Sequence, residues 1–467
     1  MTNEQLAFQD ATAIGRMIAA RKVSSVEMTK LYLDRLDKYG KTYGAVVTVM
    51  HERALREARA ADRELAGGRS RGPLHGVPYG VKDLLAAVGA PTTWGAAPYR
   101  TQQFDFDGTV VQKLHAAGAV LLAKLAMVEL AGGFGYDDAD ASFTGPGRTP
   151  WNRNFWSGGS SSGPGAATAA GLVGFAIGSE TNGSILVPAA FCGVSGLRPT
   201  YGRVSRHGAM ALMWTSDKLG PMCRSARDTE LVLRAIAGKD PNDPTSRTMP
   251  FVGVRGRRPH IGVMANATQK TMPAVAQNFT NALGVLREFC DVSEGVTLPK
   301  GFRYGAVFDA IFAGECAAAF RDLIERGQSK QLQSVDDRLG GYQVYGALAV
   351  DYVDGTRMRT KIDAAVQNAF APYDAVVYPT LSTVAYPVGI PFSKAYTQYP
   401  GSVELGSPGN LAGLPAMSVP NGWGEHNLPT GLGLLGRVWG EAQIASIAKS
   451  FQARSSFHAR HPQLVVA

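Results

Sequence analysis

"FWSGGSSSGPGAATAAG", Phe155 to Gly171, sets three consecutive serines among glycines and then continues as a small-residue helix pattern. Whether that run is a linker, a phosphate cradle or a nucleophile-bearing loop decides how the chain around it folds. A phosphate loop of the form G-x-x-x-x-G-K-[ST] needs a lysine after its glycines, and none follows here. A linker joins folded units, whereas the helical pattern "GAATAAGLVGFA" begins at once and feeds an apolar run, which places the loop inside a folded unit. "GSSSG" (159–163) also fits G-x-S-x-G, with Ser161 as the nucleophile of a strand-to-helix elbow. That turn should follow a buried strand, and "WNRNFWSGG" does not read as one. The triad would further need an acid and then a histidine downstream, and His207, His260, His426, His458 and His461 sit in contexts that single out none of them. This elbow stays open as the lesser alternative.

Length and composition bound the choice. The 467 residues are 45% hydrophobic and 18% charged, enough for a large buried core. No apolar run approaches the roughly 18 residues of a membrane helix. The opening "MTNEQLAFQDATAIG" lacks the basic-then-apolar order of a secretory signal, so a cytoplasmic location is expected. Cys192, Cys223, Cys290 and Cys316 show no metal or redox spacing and read as buried, inert thiols, with no metal or other cofactor implied. The net charge of +9 is dispersed apart from "RSR" (69–71) and "RGRR" (255–258). Neither group is interleaved with aromatics or set on one helical face, so each reads as a solvated loop and no nucleic-acid partner is expected.

Local patterns give an α/β chain. "SSVEMTKLYLDRLDKYG" (24–40) opens on serine caps with a glutamate in the first turn and stops at Gly40; "HERALREARAADRELAGG" (51–68) is a second helix ended by paired glycines. Apolar runs "GVPYGVK" (76–82), "AVLLAKL" (119–125) and "GLVGFAIG" (171–178) then alternate with helical or turn-rich segments, the mark of a largely buried sheet flanked by helices. "YDAVVYPT" (373–380) is a late strand after the helical stretch 357–371. The proline-rich and charged segment 240–258 reads as a loop, and about 265–370 as mainly helical. "GLGLLG" (431–436) fits G-x-G-x-x-G but has no ribose-binding acid about 20 residues on, so a glycine-containing strand near the sheet edge is expected instead.

A second serine site lies in "AIGSETNGSILVPAAFCGVSGLRPT" (176–200), where Ser184 follows Asn182-Gly183 in a turn of small residues. Such a turn lets successive backbone N–H groups converge on one spot, as an oxyanion hole requires. A third element, "LHGVPYGVKD" (74–83), ends an apolar strand pattern on Lys82. Buried there, its ammonium would be driven toward the neutral amine, because desolvation disfavours charge.

Together these three segments resemble the amidase signature family of serine hydrolases, and "TSDKLGPMCRSARD" (215–228) and "NLAGLPAMSVP" (410–420) follow in the same order. The resemblance runs from about residue 10 to about 460. It implies one domain over 1–467 built on a single large mixed sheet. N-terminal helices would occupy 10–68, the catalytic core 70–240 plus 372–460, and a helical elaboration about 265–370. The nucleophile then falls on Ser184, the bridging serine, preceded by a cis peptide bond, on Ser160, and the lysine on Lys82. The oxyanion hole falls on the N–H groups of Thr181, Asn182, Gly183 and Ser184, leaving Ser161 and Ser162 to satisfy loop N–H groups. The implied activity is hydrolysis of small-molecule amides, anilides or carbamates through an acyl-enzyme, with no cofactor. The alternative is the glutaminase subunit of a tRNA-dependent amidotransferase. Such subunits carry an aspartate shortly before "NLAGLP", where this chain has "GSVELGSPGNLAGLP" with Glu404 as the nearest acid. The chain departs from the family at Glu180, Asn182 and Leu186, where an aspartate, a glycine and an arginine are usual. A rearranged support around an intact nucleophile and a pocket of different polarity are therefore expected. The pocket walls should come from 130–145, 300–350 and 380–405, with Phe134, Tyr136, Phe143 and Trp214 as candidate linings. A homodimer is the base-rate expectation.

Overall fold

The computed structural model describes residues 1–466. Eleven strands form one mixed sheet: β1 (Val46–Val49), β2 (Pro78–Lys82), β3 (Val120–Leu125), β4 (Phe175–Glu180), β5 (Ser195–Arg198), β6 (Lys218–Cys223), β7 (His260–Met264), β8 (Asp291–Val296), β9 (Ala375–Pro379), β10 (Ala416–Trp423) and β11 (Pro429–Leu435). Their spatial order is β1-β3-β2-β4-β6-β5-β10-β11-β9-β7-β8. β3, β2 and β4 run parallel to one another, as do β9, β7 and β8. Antiparallel pairings through β6, β5, β10 and β11 join these two parallel groups. β2, β3 and β4 are buried along their whole length, as expected of near-continuous apolar runs covered on both faces.

Helices cover the sheet where the sequence patterns placed them. Helix Ser25–Tyr39 begins with a reciprocal capping box between Ser24 and Glu27 and ends at Gly40. Helix Ser162–Ala169, built of small residues, is buried at every position and lets its surroundings approach closely. A Cβ at Gly163 would lie 2.4 Å from the Ala126 nitrogen, so only glycine fits there.

Several features differ from the sequence reading, which does not mark β5, β6, β7 or β10 as strands. β1 and β8 are edge strands that the patterns did not mark. "VVTV" is too short to show alternation, and "DVSEGV" keeps Asp291 and Glu294 exposed, a charge pattern suited to an unpaired edge. The second of these lies within the segment read as mainly helical. β11, holding "GLGLLG", is not near an edge: it pairs with β10 and β9, with β7 and β8 beyond. Its glycines make room for neighbours; a Cβ at Gly433 would lie 2.7 Å from the Tyr378 ring. Segment 240–258 has no helix or named strand. The basic groups find acids, Arg71 with Glu64 and Arg257 with Asp374 at 2.6 Å. All four cysteines are buried and unpaired. No helix among the described residues is long and apolar enough to cross a membrane.

Candidate active site

Three chain segments meet at the carboxyl ends of β2 and β4. Lys82 closes β2, and the turn after β4 carries residues 181–184 into helix Leu186–Cys192. The glycine-serine loop crosses between them, held by Val128 N–H donating to the Ser160 carbonyl at 3.1 Å and Ser161 N–H donating to the Ser184 carbonyl at 3.3 Å. The Gly159–Ser160 peptide is cis.

The Lys82 side chain is 0% exposed. Its Nζ donates to Ser160 Oγ at 2.7 Å and to Ser179 Oγ at 2.9 Å, and no carboxylate touches it among the described residues. Burial therefore dominates and pulls the ammonium down to about 7, against the more distant charges of Asp217 and Glu180. Ser184 is 7% exposed and lines a cavity. No hydrogen bond joins the Ser160 and Ser184 hydroxyls among the described residues, so the lysine contacts one serine of the pair directly.

The turn before Ser184 has a distinctive backbone. The N–H groups of Thr181, Asn182, Gly183 and Ser184 donate to no protein acceptor among the described residues, while the next two, Ile185 and Leu186, donate to the Glu180 carboxylate at 2.9 and 3.1 Å. Gly183 has φ +86°, a conformation that a side chain would strain. Thr181 Oγ1 donates to Asp217 at 2.7 Å, and Asn182 bonds Ser407 and Asn410, each at 3.2 Å. Burial raises the Asp217 carboxyl, against N–H donation from Leu212 and the Thr181 hydroxyl.

Glu180, one of the departures noted in the sequence, finds its partner through tertiary packing. Arg198, from β5, places Nη1 2.8 Å from Glu180 Oε1 with both side chains buried. Burial alone would raise the Glu180 carboxyl; Arg198, buried Lys218 and the Ile185 N–H outweigh it and hold the group below its usual range. The acid that fixes the 185–186 backbone thus keeps an arginine, drawn from another strand.

Ser161 is not placed as an elbow nucleophile. Its buried hydroxyl accepts from Ser179 N–H at 3.2 Å and donates to the Ser179 carbonyl at 3.1 Å, which clamps the loop to β4, and among the described residues no histidine or carboxylate is hydrogen-bonded to it. Ser179 itself, a partner of Lys82, escaped the sequence reading. A lone hydroxyl in the buried run "FAIGSE" is the signal that could have found it.

Two large cavities flank the turn. The first, about 430 Å³, is lined by Thr181, Asn182 and Ser184 together with aromatic residues from five separate segments, and by no charged side chain among the described residues. The second, about 340 Å³, is lined by Asn182, Gly183, Thr380, Ser382, Ser402 and Glu404 among others. Asn182, Val187, Leu381 and Tyr386 belong to both. The three wall segments expected from the sequence supply Tyr136, Phe308 and Phe312, and Tyr386 and Phe392. Of the four candidate aromatics only Tyr136 lines the first cavity. Phe134 packs in the core edge-on to Phe320, Phe143 lies under Arg100, and Trp214 is half exposed beneath Arg206. Trp156 and Phe191 also line this cavity and were not anticipated.

A family model described as Amidase matches residues 27–445. The chain is 35% identical to a glutamyl-tRNA(Gln) amidotransferase subunit of Moorella thermoacetica, over 99% of this chain and 100% of that protein. Among solved structures, the native peptide amidase of Stenotrophomonas maltophilia superposes with a TM-score of 0.87 at 30% identity, covering 98% of each chain. The corresponding glutamyl-tRNA(Gln) amidotransferase subunit of Thermotoga maritima superposes with a TM-score of 0.77 at 26% identity, covering 100% of this chain and 98% of that one. With this match over most of its length, the chain belongs to the amidase signature family of enzymes that act on carbon–nitrogen bonds.

Proposed function

We propose that the protein hydrolyses amides through an acyl-enzyme on Ser184, with Lys82 and Ser160 as its proton relay. The observation that carries this reading is a fully buried lysine, bonded only to hydroxyls, beside the serine loop at the wall of a cavity that Ser184 lines. A neutral amine accepts a proton from Ser160 Oγ as Ser160 takes the proton of Ser184 Oγ. The Ser184 Oγ–carbon bond forms, and the carbonyl oxygen gains charge that the N–H groups of 181–184, without a protein acceptor among the described residues, would stabilise. The relay returns its proton to the departing nitrogen, the C–N bond breaks and the amine leaves. Water, deprotonated along the same path, attacks the ester, releasing the carboxylic acid and restoring the Ser184 hydroxyl. The Ser160–Ser184 contact this requires is of the kind that tightens when substrate binds.

The test is amine or ammonia release by the purified chain acting alone on neutral amides. Replacing Ser184 by Ala should lower turnover by about 10⁴-fold or more. Unchanged turnover in that variant would remove Ser184 from the mechanism.

A second reading is a glutaminase subunit of an amidotransferase complex, favoured by the name of the Moorella relative. Glu404 could pair the α-ammonium of glutamine in the second cavity. Its α-carboxylate, however, would meet no lysine, arginine or histidine among the residues lining either cavity, and burying an unpaired carboxylate is costly. This favours hydrolysis of neutral amides by the chain alone. Ammonia release from glutamine that appears only when partner subunits are added would decide for the second reading.

A further inference from the structure

The first cavity is chemically one-sided. Its volume of about 430 Å³ falls in the range of small-molecule sites, yet no charged side chain lines it among the described residues. Two groups of rings face it. One is a connected set: Trp156 stacks on Phe392 at 4.4 Å and 26°, Tyr136 meets both edge-on at 6.1 and 6.0 Å, and Tyr386 lies 5.2 Å from Phe392. The other is Phe308 and Phe312, four residues apart on helix Tyr304–Ala319 and stacked at 5.9 Å and 20°. Each set is internally satisfied, no ring contact joins them among the described residues, and the cavity touches both. A planar apolar group entering it would gain ring contacts at the 4.5–7 Å spacing that aromatic pairs favour. A charged group would be desolvated with no partner.

Resting on the acyl-enzyme reading above, we infer that the substrate is an amide bearing an uncharged aryl group, seated in the Trp156/Phe392 and Phe308/Phe312 cavity beside Ser184. The second cavity, with its hydroxyls and Glu404, is not the place for that ring.

The experiment compares kcat/KM for benzamide, acetanilide, cyclohexanecarboxamide, acetamide and 4-carboxybenzamide. Benzamide or acetanilide should exceed acetamide by about tenfold or more, since one buried apolar group of this size discriminates on that scale; whichever of the two leads tells whether the ring sits on the acyl or the amine side. The better aryl amide should exceed cyclohexanecarboxamide by about two- to tenfold, the aromatic share of the contact. A carboxylate on the ring should cost at least about tenfold. Phe312→Ala, checked for folding by its thermal transition, should collapse the aryl-to-acetamide ratio. Phe312→Leu, which keeps the apolar volume, should keep that ratio above the Ala variant's while losing the aryl-over-cyclohexyl preference. If no amide in the panel turns over, the rates at which phenylmethanesulfonyl fluoride and methanesulfonyl fluoride label Ser184 give the same comparison. Turnover or labelling without aryl preference, or equal use of 4-carboxybenzamide, overturns this inference and leaves the acyl-enzyme reading intact. No turnover and no labelling of Ser184 overturns both.

Discussion

Neighbouring strands β2 and β3 bury two lysines that the structure treats in opposite ways. Lys82 pairs in register with Leu125 and Lys124 with Val81, so the two cations sit one residue apart along adjacent parallel strands, each fully buried. Consecutive strand residues point to opposite faces. Asp83 therefore reaches Lys124, at 2.8 Å, and Thr92 accepts from the same ammonium at 2.6 Å. Lys82 receives only the hydroxyls of Ser160 and Ser179. Burial pulls Lys124 toward its neutral form and Asp83 toward the protonated one, and each offsets the other. Lys82 has no such counterion in contact among the described residues and comes down to about 7. What separates a structural ion pair from a candidate base is one adjacent carboxylate and the face on which it falls.

Substitution breaks this comparison most sharply. Lys82→Met should lower kcat by about 10²–10⁴-fold, the usual share of a general base, while stability at pH 7 holds or improves because an unpaired buried amine is replaced by a thioether. Turnover and thermal denaturation of the same preparation read both halves. Lys124→Met should do the reverse. It strands the buried Asp83 carboxylate and destabilises by about 3–5 kcal/mol, seen as a lower urea midpoint, with folded enzyme still turning over. If Lys124→Met abolished activity without loss of stability, the division of roles would be wrong.

Titration sharpens the contrast without mutation. In the proposed relay the neutral amine is the active form, so kcat/KM should climb about tenfold per pH unit below about 7 and level off above it. Stability carries the same sign. Between about 7 and the ordinary lysine value near 10.4 the unfolded chain binds the proton that buried Lys82 has lost, so Lys82 makes stability rise with pH across that window. Urea denaturation of the parent at pH 7 and 9.5 should show this rise, and Lys82→Met should show less of it. The smallest effect is expected at Ser179. Removing its hydroxyl takes one hydrogen bond from Lys82, about 0.5–1.5 kcal/mol, and should change kcat/KM by less than about tenfold while moving the midpoint of its pH profile. An unmoved midpoint would reduce Ser179 to a structural role.

The aromatic cavity makes a related point about what linear order conceals. Tyr136, Trp156, Phe312 and Phe392 come from loops and a helix spread over more than half the chain, and no periodicity connects them. Phe134 and Phe143, close to Tyr136 in sequence and equally plausible as linings, instead pack against Phe320 and under Arg100. Arg198 shows the same limit. Eighteen residues after Glu180, it becomes its partner only because β6 pairs with both β4 and β5.

Resemblance to a known family marked Lys82, Ser160 and Ser184; read alone, the chain determined its alternation of strands and helices and the placement of the glycine-serine loop inside a folded unit. Each of these is local: apolar runs, caps and glycine-rich turns act over a few residues, where spacing and side-chain type are visible directly. Only the tertiary structure decided which of the two neighbouring buried lysines on β2 and β3 lacks a counterion, which arginine holds Glu180, and which rings face Ser184. Those outcomes depend on strand pairing and on which face a side chain takes, so they come from contacts between residues that the linear order keeps far apart.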